Sequence, residues 1–422
     1  MSFDSMVSLA RKNLLEDIPR FLVAQAGILF AVTLVTIQTG IFSGFSLSTV
    51  KLINNSSADL WVTSDTLVQL ELTLPLPVSD LIKARDLSSV DRAEGLIFSG
   101  AQWFPREGEI ARARVIGFNP NGRMYRPETL LEGKIENLNQ PYSVIIDTTD
   151  QETLQVSGMG AQVQMNSLPA EIVGITQSNT SMISNPFVLT SLANANAYLR
   201  AGQTSRVNCQ LPQGSSQLEC VNIFHPDQEP MEIDPEAPPR NLVASDVITF
   251  ILVKASPEED IATVQQEIET QLSNVTAYTQ EELIQVTQDY WQQRTGIGFI
   301  LGLGTVVGII VGIVVVSQIL YSSVSDHLKE FGTLKAMGAS SEMIYRVIIE
   351  QAVWMAILGY LPGMILCLGI AYGINVNQGT LLLITPESAI AIFILTLIMC
   401  IGSAIFAIQK VNRVDPAIVF KA

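Results

Sequence analysis

Four long stretches of this chain contain no charged residue, and their placement constrains the fold more than any other feature. They cover residues 21–50, 295–325, 351–386 and 388–409. A helix needs about 20 apolar residues to cross a bilayer, and each stretch is longer than that. The sequence therefore predicts a membrane α-helical protein with four transmembrane helices, one N-terminal and three C-terminal. A large polar domain separates the first helix from the second.

The negative charge of the chain is concentrated in that polar domain. The whole chain has 24 Lys+Arg and 40 Asp+Glu, and residues 49–290 hold 14 of the basic and 31 of the acidic side chains. Such an excess of carboxylates repels phosphate backbones and anionic lipid headgroups. The pattern argues against nucleic acid as a partner.

The basic residues beside the four stretches share one side of the membrane if all four stretches cross it. They are Arg11, Lys12 and Arg20 before the first stretch, Lys329, Lys335 and Arg346 between the second and third, and Lys410, Arg413 and Lys421 after the fourth. The positive-inside rule places this side in the cytoplasm and the polar domain outside. A cleaved signal peptide is the alternative for the first stretch, but the apolar run exceeds the roughly 7–15 residues of a signal peptide.

Local patterns predict a mixed α+β fold for the extracytoplasmic domain. Strands are expected at 59–63, 93–104, 113–118, 143–147, 171–176 and 249–254, and a helix at 78–87. Ser256 is the expected N-cap of a helix that ends near residue 272, with Pro257 at its first position. Another helix should begin near Thr279 and continue through Arg294 into the second span as an unbroken stalk. The proline-rich segment 203–241 is expected to be an exposed loop or insertion.

These patterns give a domain organisation. Residues 1–20 are expected to form a cytoplasmic amphipathic helix, 21–45 the first transmembrane helix, 46–290 the extracytoplasmic domain and 291–422 a C-terminal membrane domain. The last contains transmembrane helices at about 296–321, 352–374 and 387–408.

The four cysteines fall into two pairs with different expected roles. Cys367 and Cys400 lie within spans and should be small packing residues. Cys209 and Cys220 lie eleven positions apart on the oxidising side of the membrane and are candidates for a disulfide.

Glycines at four-residue spacing in the spans allow helix backbones to approach each other closely. The candidates for helix packing are Gly304, Gly308, Gly312, Gly359 and Gly363; the same spacing recurs at Gly298/Gly302 and Gly369/Gly373. Packing within one chain and a face for a second copy are equally consistent with this spacing.

The chain lacks the sequence motifs of the common enzyme classes. It has no phosphate-binding GxxxxGK[ST] loop, no GxSxG and no HExxH, and its two histidines lie far apart at 225 and 327. We expect no catalytic residues, no metal and no cofactor bound by this chain.

The cytoplasmic segment 325–340 carries the most specific pattern. Leu328, Phe331, Leu334 and Met337 form an apolar stripe at helical spacing, and Gly338 suits a helix C-terminus. A hairpin lying on the membrane surface and a helix that docks in a groove of another protein both fit this pattern.

The sequence EFGTLKAMGA at 330–339 resembles the signature of the FtsX-like permease domain, the membrane part of MacB-type ABC transporters. The order of the spans is also similar to that of this family, and so is the sequence Asp415-Pro416-Ala417 after the fourth span. Cyanobacterial DevC-type permeases look most similar, through 331–338, 395–400 and 415–420.

The resemblance implies a partner ATPase that binds ATP and Mg and docks at the cytoplasmic loop of a homodimeric permease in the inner membrane. It also implies porter-like parts at 46–115 and 246–290 around a central insertion at 116–245, with a periplasmic adaptor and an outer-membrane channel as further partners. The residues expected to couple to the ATPase are Glu330, Phe331, Gly332, Leu334, Lys335, Met337 and Gly338.

Export, for example of a glycolipid, is the function that this resemblance favours. A lipoprotein-releasing permease and an FtsX-like, non-transporting regulator of a cell-wall hydrolase are alternatives, as is a membrane-tethered enzyme. The size of the outer domain favours export over regulation.

The predicted orientation can be tested by single-cysteine labelling in intact cells. In a chain without native cysteines, Gln213→Cys should react with a membrane-impermeant maleimide, because residue 213 is extracytoplasmic. Ser340→Cys should react only after the membrane is permeabilised. The opposite labelling pattern would invert the topology.

Overall fold

The computed structural model describes residues 18–127, 129–177, 184–201, 205–210, 219–224, 237–326, 333, 340–378 and 382–412. The chain divides into two compact units. The membrane unit comprises Met1–Phe45 and Thr295–Ala422, and the outer unit comprises Ser46–Arg294.

The elements follow in chain order. The helices are α1 (Ile18–Thr49), α2 (Lys51–Asn54), α3 (Val78–Asp86), α4 (Gln151–Leu154), α5 (Leu192–Arg200), α6 (Ile261–Gln271), α7 (Gln280–Thr295), α8 (Ile297–Asp326), α9 (Ser341–Gln378) and α10 (Pro386–Asn412). The strands are β1 (Leu60–Ser64), β2 (Leu76–Pro77), β3 (Val90–Phe104), β4 (Ala111–Phe118), β5 (Leu130–Gly133), β6 (Ser143–Asp147), β7 (Gln162–Met165), β8 (Leu168–Thr176), β9 (Phe187–Ser191), β10 (Ser205–Gln210), β11 (Glu219–Phe224), β12 (Val247–Ile248), β13 (Phe250–Ala255) and β14 (Val275–Thr279).

One half of the outer unit is a ferredoxin-like βαββαβ motif that is split by a long insertion. Strands β14, β1, β13 and β3 lie side by side in that order, and each pairs antiparallel with its neighbour. Helix α3 connects β1 to β3, and α6 connects β13 to β14. The two crossover helices bury apolar residues in a core shared with these strands. This chain order and sheet order define the motif.

Strand β1 is buried along its whole length because both faces of the sheet are covered. Leu60 and Val62 face the core beneath the crossover helices, whereas Trp61 faces a second core on the opposite side. The Trp61 ring contacts Phe250 edge to face, with ring centroids 5.3 Å apart. A run of apolar residues without polar alternation is expected of such a strand.

The insertion closes part of the sheet on itself. Strand β3 is 15 residues long and extends beyond the ferredoxin-like motif to pair with both β4 and β7. Because β7 also pairs with β8, the ladder β3-β4-β9-β6-β8-β7 returns to β3. Trp103 is fully buried in the core here, and its indole Nε1 donates to the Leu154 carbonyl at 3.0 Å. Closure leaves these strands without a free edge, which opposes edge-to-edge aggregation.

One local prediction gains detail and another is wrong. The segment 203–241, expected to be an exposed loop or insertion, contains the antiparallel hairpin β10–β11. The helix expected to start at Ser256 begins at Ile261, with Asp260 as its N-cap residue. Residues 256–259 form a turn instead, in which the Glu259 N–H donates to the Ser256 carbonyl at 3.0 Å.

An ion-pair cluster fixes the chain where the insertion rejoins the ferredoxin-like motif. Both carboxylate oxygens of Asp246 accept hydrogen bonds of 2.7 Å from Arg240, and one also accepts from the Val243 N–H. Arg200 lies 3.8 Å away. Burial raises the pKa of Asp246, but the hydrogen bonds and charges of these neighbours outweigh it, so the net pKa lies below the ordinary value. The cluster thus stabilises the ionised carboxylate.

The membrane unit contains the four predicted spans, at Phe21–Thr49, Ile297–Ser322, Tyr345–Ile374 and Pro386–Ile405. Together with the α+β outer unit they confirm the predicted fold class. Cys367 and Cys400 are buried free thiols within the spans, as expected.

The predicted packing glycines of α8 and α9 lie against α1 or α10 of the same chain. A methyl group on Gly359 would lie 2.5 Å from Ile28 Cγ2, and one on Gly363 would lie 3.1 Å from Val32 Cγ1. Gly308 faces Leu34 at 3.1 Å, Gly304 faces Gln38, and Gly312 faces Met399 and Ala31. Gly302, Gly369 and Gly373 have no such neighbour within 4 Å.

Hydrogen bonds between helices accompany these close approaches. Thr305 donates to Gln38 Oε1 at 3.0 Å, Ser403 donates to the Ile313 carbonyl at 3.2 Å, and Tyr360 donates to the Ala389 carbonyl at 2.8 Å. Each such bond in a membrane contributes about 0.6 kcal/mol on average. Their main effect is to fix the register of the helices, because each bond adds little stability.

Removal of the Asp246 charge should destabilise the outer unit in a pH-dependent way. We expect Asp246→Asn to lower the free energy of unfolding by about 1–3 kcal/mol at pH 7. A depressed native pKa stabilises the fold above the unfolded pKa of about 3.9, and that contribution is lost as the pH falls through the native pKa. The difference between variant and parent should therefore shrink below about pH 4.

Thermal unfolding of the purified chain, followed by tryptophan fluorescence, measures this effect. Lys83→Gln is the control, because Lys83 is exposed and its ion pair with Asp80 should contribute less than about 1 kcal/mol. A pH-independent effect of Asp246→Asn would contradict the assignment of the charge as its cause.

Substitution of the α9 glycines separates packing within the chain from an open face. Gly359→Ala should lower the unfolding temperature, because overpacking costs about 1–3 kcal/mol. Gly369→Ala on the same helix should leave the unfolding temperature unchanged or raise it, since alanine favours helix over glycine. Equal effects of the two substitutions would refute the packing described for Gly359.

Candidate functional site: the connectors and the cytoplasmic loop

All of the predicted ATPase-coupling residues lie outside the described part of the chain. Helix α8 ends at Asp326 and α9 begins at Ser341. Between them the structure describes Thr333, which is helical and exposed, and Ser340. Glu330, Phe331, Gly332, Leu334, Lys335, Met337 and Gly338 are outside the described residues, so their roles stay predictions.

Two segments of the outer unit carry the chain to and from the spans, and they are hydrogen-bonded to each other. We call residues 46–59 the first connector and α7 the second connector. The Gln280 amide donates to the Ile53 carbonyl at 3.4 Å, and the Gln288 amide donates to the Ser46 carbonyl at 3.3 Å. These two residues lie about two turns apart on α7. The connectors are therefore tied to each other by hydrogen bonds at two positions along α7.

The connectors continue directly into neighbouring strands. β1 follows the first connector, β14 precedes the second, and the two strands pair from Leu60↔Thr279 to Ser64↔Val275. Asp59, at the end of the first connector, contacts the next strand as well. Its carboxylate accepts from Lys254 Nζ at 2.5 Å and from the Ala255 N–H at 3.0 Å. The connectors are therefore continuous with β14 at the edge of the ferredoxin-like sheet and with β1 beside it.

The joint between β14 and α7 is a capping box. The Thr279 hydroxyl accepts from the Glu282 N–H at 3.2 Å, and the Glu282 carboxylate accepts from the Thr279 N–H at 2.8 Å. Reciprocal bonds of this kind satisfy two of the free donors at a helix start. Leu283 and Thr287, on the buried side of α7, are fully inaccessible. These contacts hold α7 at a fixed angle to the sheet.

The predicted unbroken stalk is wrong. Helix α7 ends at Thr295, and α8 begins at Ile297. Gly296 between them has φ +62°, a left-handed conformation that interrupts a helix and that glycine adopts without strain. The sequence itself indicates this break, because Gly296 lies between a run of polar residues and a run of apolar residues.

Aromatic residues cluster at the end of α7. The rings of Tyr290 and Trp291 meet edge to face, with centroids 5.6 Å apart. The Arg294 guanidinium lies over the Tyr290 ring at 5.9 Å. Tyr, Trp and Arg of this kind are typical of membrane–water interfaces. The cluster marks the expected boundary between the second connector and the bilayer.

The outer unit also has clefts among its described residues. One of about 490 Å³ lies between the ferredoxin-like motif and the insertion and is lined by Arg85, Glu94, Asn121, Asn139 and Asn241, among others. Among the described residues, no three His, Cys, Asp or Glu side chains come together as a metal site.

Two family models match this chain. The model of the MacB-like periplasmic core domain matches residues 21–271, and that of the FtsX-like permease C-terminal region matches residues 302–416. The first match alone covers more than half of the chain. It spans the first transmembrane helix, the first connector and most of the outer unit.

Curated relatives agree with these matches. The macrolide export ATP-binding/permease protein MacB of Acinetobacter baylyi is 23% identical over 278 residues, which cover 65% of this chain and 36% of that protein. The protein of the same name from Burkholderia thailandensis is 19% identical over 260 residues, which cover 61% of this chain and 34% of the relative. The chain thus spans about a third of the length of these relatives.

Solved structures with partial similarity cover the outer unit. The periplasmic region of MacB from Actinobacillus actinomycetemcomitans gives a TM-score of 0.32 at 9% identity and covers 57% of this chain and 98% of that structure. The extracellular domain of the transporter YknZ from Gram-positive bacteria gives 0.31 at 8% identity and covers 52% of this chain and 99% of that structure. Scores this low add nothing to the family models.

The two family models and the curated relatives indicate the same family. The four spans and the α+β domain between the first two spans are consistent with it. The chain is a multi-pass membrane protein with an extracytoplasmic domain, and it belongs to the FtsX/MacB-type permeases of ABC transporters.

Proposed function

We propose that the chain is the permease subunit of a MacB-type exporter and that it transmits the nucleotide state of a separate ATPase to its outer unit. The pair of tied connectors is the observation that carries this proposal. They connect the spans to two adjacent strands at one edge of the ferredoxin-like sheet, so a movement of either span reaches the same sheet. A tether that served only as an anchor would not need this arrangement.

The ATPase is proposed to dock on the apolar stripe of the cytoplasmic loop, in a homodimer of the permease. ATP and Mg would be bound by that partner, because this chain contains no phosphate-binding loop. The loop joins α8 to α9, and α8 follows directly on the second connector. Movement of a docked ATPase would therefore act on α8 first.

The proposed outcome is export through a periplasmic adaptor and an outer-membrane channel. The outer unit would bind the adaptor and drive cargo outward when the connectors move. The resemblance to DevC-type permeases is the reason for proposing a glycolipid as cargo. The names of the MacB relatives specify macrolides, so a hydrophobic small molecule is the broader class.

Purification of the chain from native membranes would identify the system. Recovery of an ATPase together with an adaptor and an outer-membrane channel would support export. A bound lipoprotein would indicate lipoprotein release instead, and a cell-wall hydrolase would indicate regulation without transport.

Substitutions in the loop test the docking stripe. Phe331→Ala should weaken ATPase co-purification tenfold or more, because burial of a Phe contributes about 1.5–3 kcal/mol. Gly338→Val should weaken it as well, since a β-branched residue disfavours the left-handed conformation expected of a helix C-terminal glycine. Export in cells should fall with partner binding in both variants.

Thr333→Ala is the matched control within the same loop and outside the apolar stripe. It should keep normal partner binding and export, and all three variants should insert into the membrane normally. Normal ATPase binding and export by Phe331→Ala and Gly338→Val would mean that the loop is a surface hairpin.

A further inference from the structure

We infer that Cys209 and Cys220 form a disulfide in the mature protein and that this bond fixes the register of the β10–β11 hairpin. The inference depends on the outer unit being extracytoplasmic and not on the identity of the exported cargo. It assigns a covalent modification to a hairpin that, among the described residues, pairs with no strand of the main sheet.

The backbone register places the two cysteines directly opposite each other. Cys209 pairs with Cys220, between the pairs Asn208↔Val221 and Gln210↔Glu219. The Cα atoms of directly opposed antiparallel residues are about 4.5 or 5.5 Å apart. Disulfides occur at Cα separations of about 4.4–6.8 Å. Opposed residues also share a face of the ladder, so the register meets the requirement for a bond.

The hairpin needs a constraint of this kind. Within the described residues, β10 and β11 pair only with each other and form a sheet separate from the ten-stranded one. An isolated two-stranded hairpin is marginally stable in water. Its connection, residues 211–218, is longer than the short turns that fix hairpin register by themselves. A one-residue slip would place the two cysteines on opposite faces.

Both ends of the surrounding segment are held by the rest of the outer unit. Before the hairpin, the Asn166 amide donates to the Tyr198 carbonyl at 2.7 Å. After it, the Tyr142 hydroxyl donates to the Ala237 carbonyl at 2.9 Å, and Arg240 is bound to Asp246. These contacts fix both ends of the segment that contains the hairpin, whereas a disulfide would fix the hairpin itself.

The bond would form by thiol–disulfide exchange with an oxidised dithiol oxidoreductase of the extracytoplasmic compartment. A thiolate of one cysteine attacks the disulfide of the oxidoreductase, and a mixed disulfide results. The second cysteine attacks this mixed disulfide and forms the Cys209–Cys220 bond. Two protons and two electrons leave the pair of thiols, and the oxidoreductase is released as a dithiol.

Differential thiol labelling of the full chain in native membranes tests the bond. Membranes are treated with N-ethylmaleimide during cell lysis, then denatured, reduced and labelled with a second maleimide. Peptide mass spectrometry should find the second label on Cys209 and Cys220 and a 209–220 cross-linked peptide without reduction. N-ethylmaleimide on both residues would overturn the inference, as would a disulfide-linked dimer on a non-reducing gel.

A register-shifted variant is the matched control. Cys209→Ser with Gln210→Cys keeps the number of thiols but moves one of them opposite Glu219, on the other face from Cys220. This variant should show two free thiols, whereas Cys367→Ser, in a span, should keep the bond. A cross-link in the shifted variant equal to that of the parent would contradict the register.

The structural effect can be measured without transport. Cys209→Ser with Cys220→Ser should raise the opening equilibrium of the hairpin about a hundredfold, as amide hydrogen exchange of residues 205–210 and 219–224 would report. Exchange in β1 and β13 should stay unchanged. Unchanged exchange in the hairpin would show that no bond constrains it.

Discussion

The antiparallel pairing of β1 with β14 is the interaction on which the rest of the outer unit depends. The first of these strands begins at the end of the first connector, and the second ends at the start of α7. Their ladder, the capping box at Thr279 and Glu282, and the two amide hydrogen bonds from α7 join both ends of the outer unit. A domain of about 250 residues can then be inserted between two transmembrane helices without separating its ends.

The insertion uses the same sheet and needs no separate core. Strand β3 pairs with β13 at one end and with β4 and β7 at the other, so it belongs to both halves of the outer unit. The residues of the ferredoxin-like motif and those inside the closed ladder form one continuous hydrophobic core. The two halves should therefore unfold together, with the Asp246 cluster at the point where the chain returns. Among the described strands, the β10–β11 hairpin and the short pair β2–β12 form sheets of their own.

The sequence predicted features that depend on local composition. The four spans, β6 and the placement of Cys367 and Cys400 in spans were found where the apolar pattern placed them. Features that depend on distant pairing were not predicted. β1 pairs with strands about 190 and 215 positions away, and the closure of the ladder by β7 rests on four residues of ordinary composition. The break at Gly296 was missed because helical periodicity was extended across a residue suited to end a helix.

We propose that the second connector transmits movement between α8 and the outer sheet. Export by a chain with a flexible Gly-Ser-Gly insertion between Thr295 and Gly296 tests it most directly, with the same insertion after the exposed Glu107 as control. The account predicts that the first insertion keeps ATPase binding and ATP hydrolysis in the complex but abolishes export, whereas the control exports normally. Normal export by the chain with the insertion at Gly296 would contradict mechanical transmission through α7.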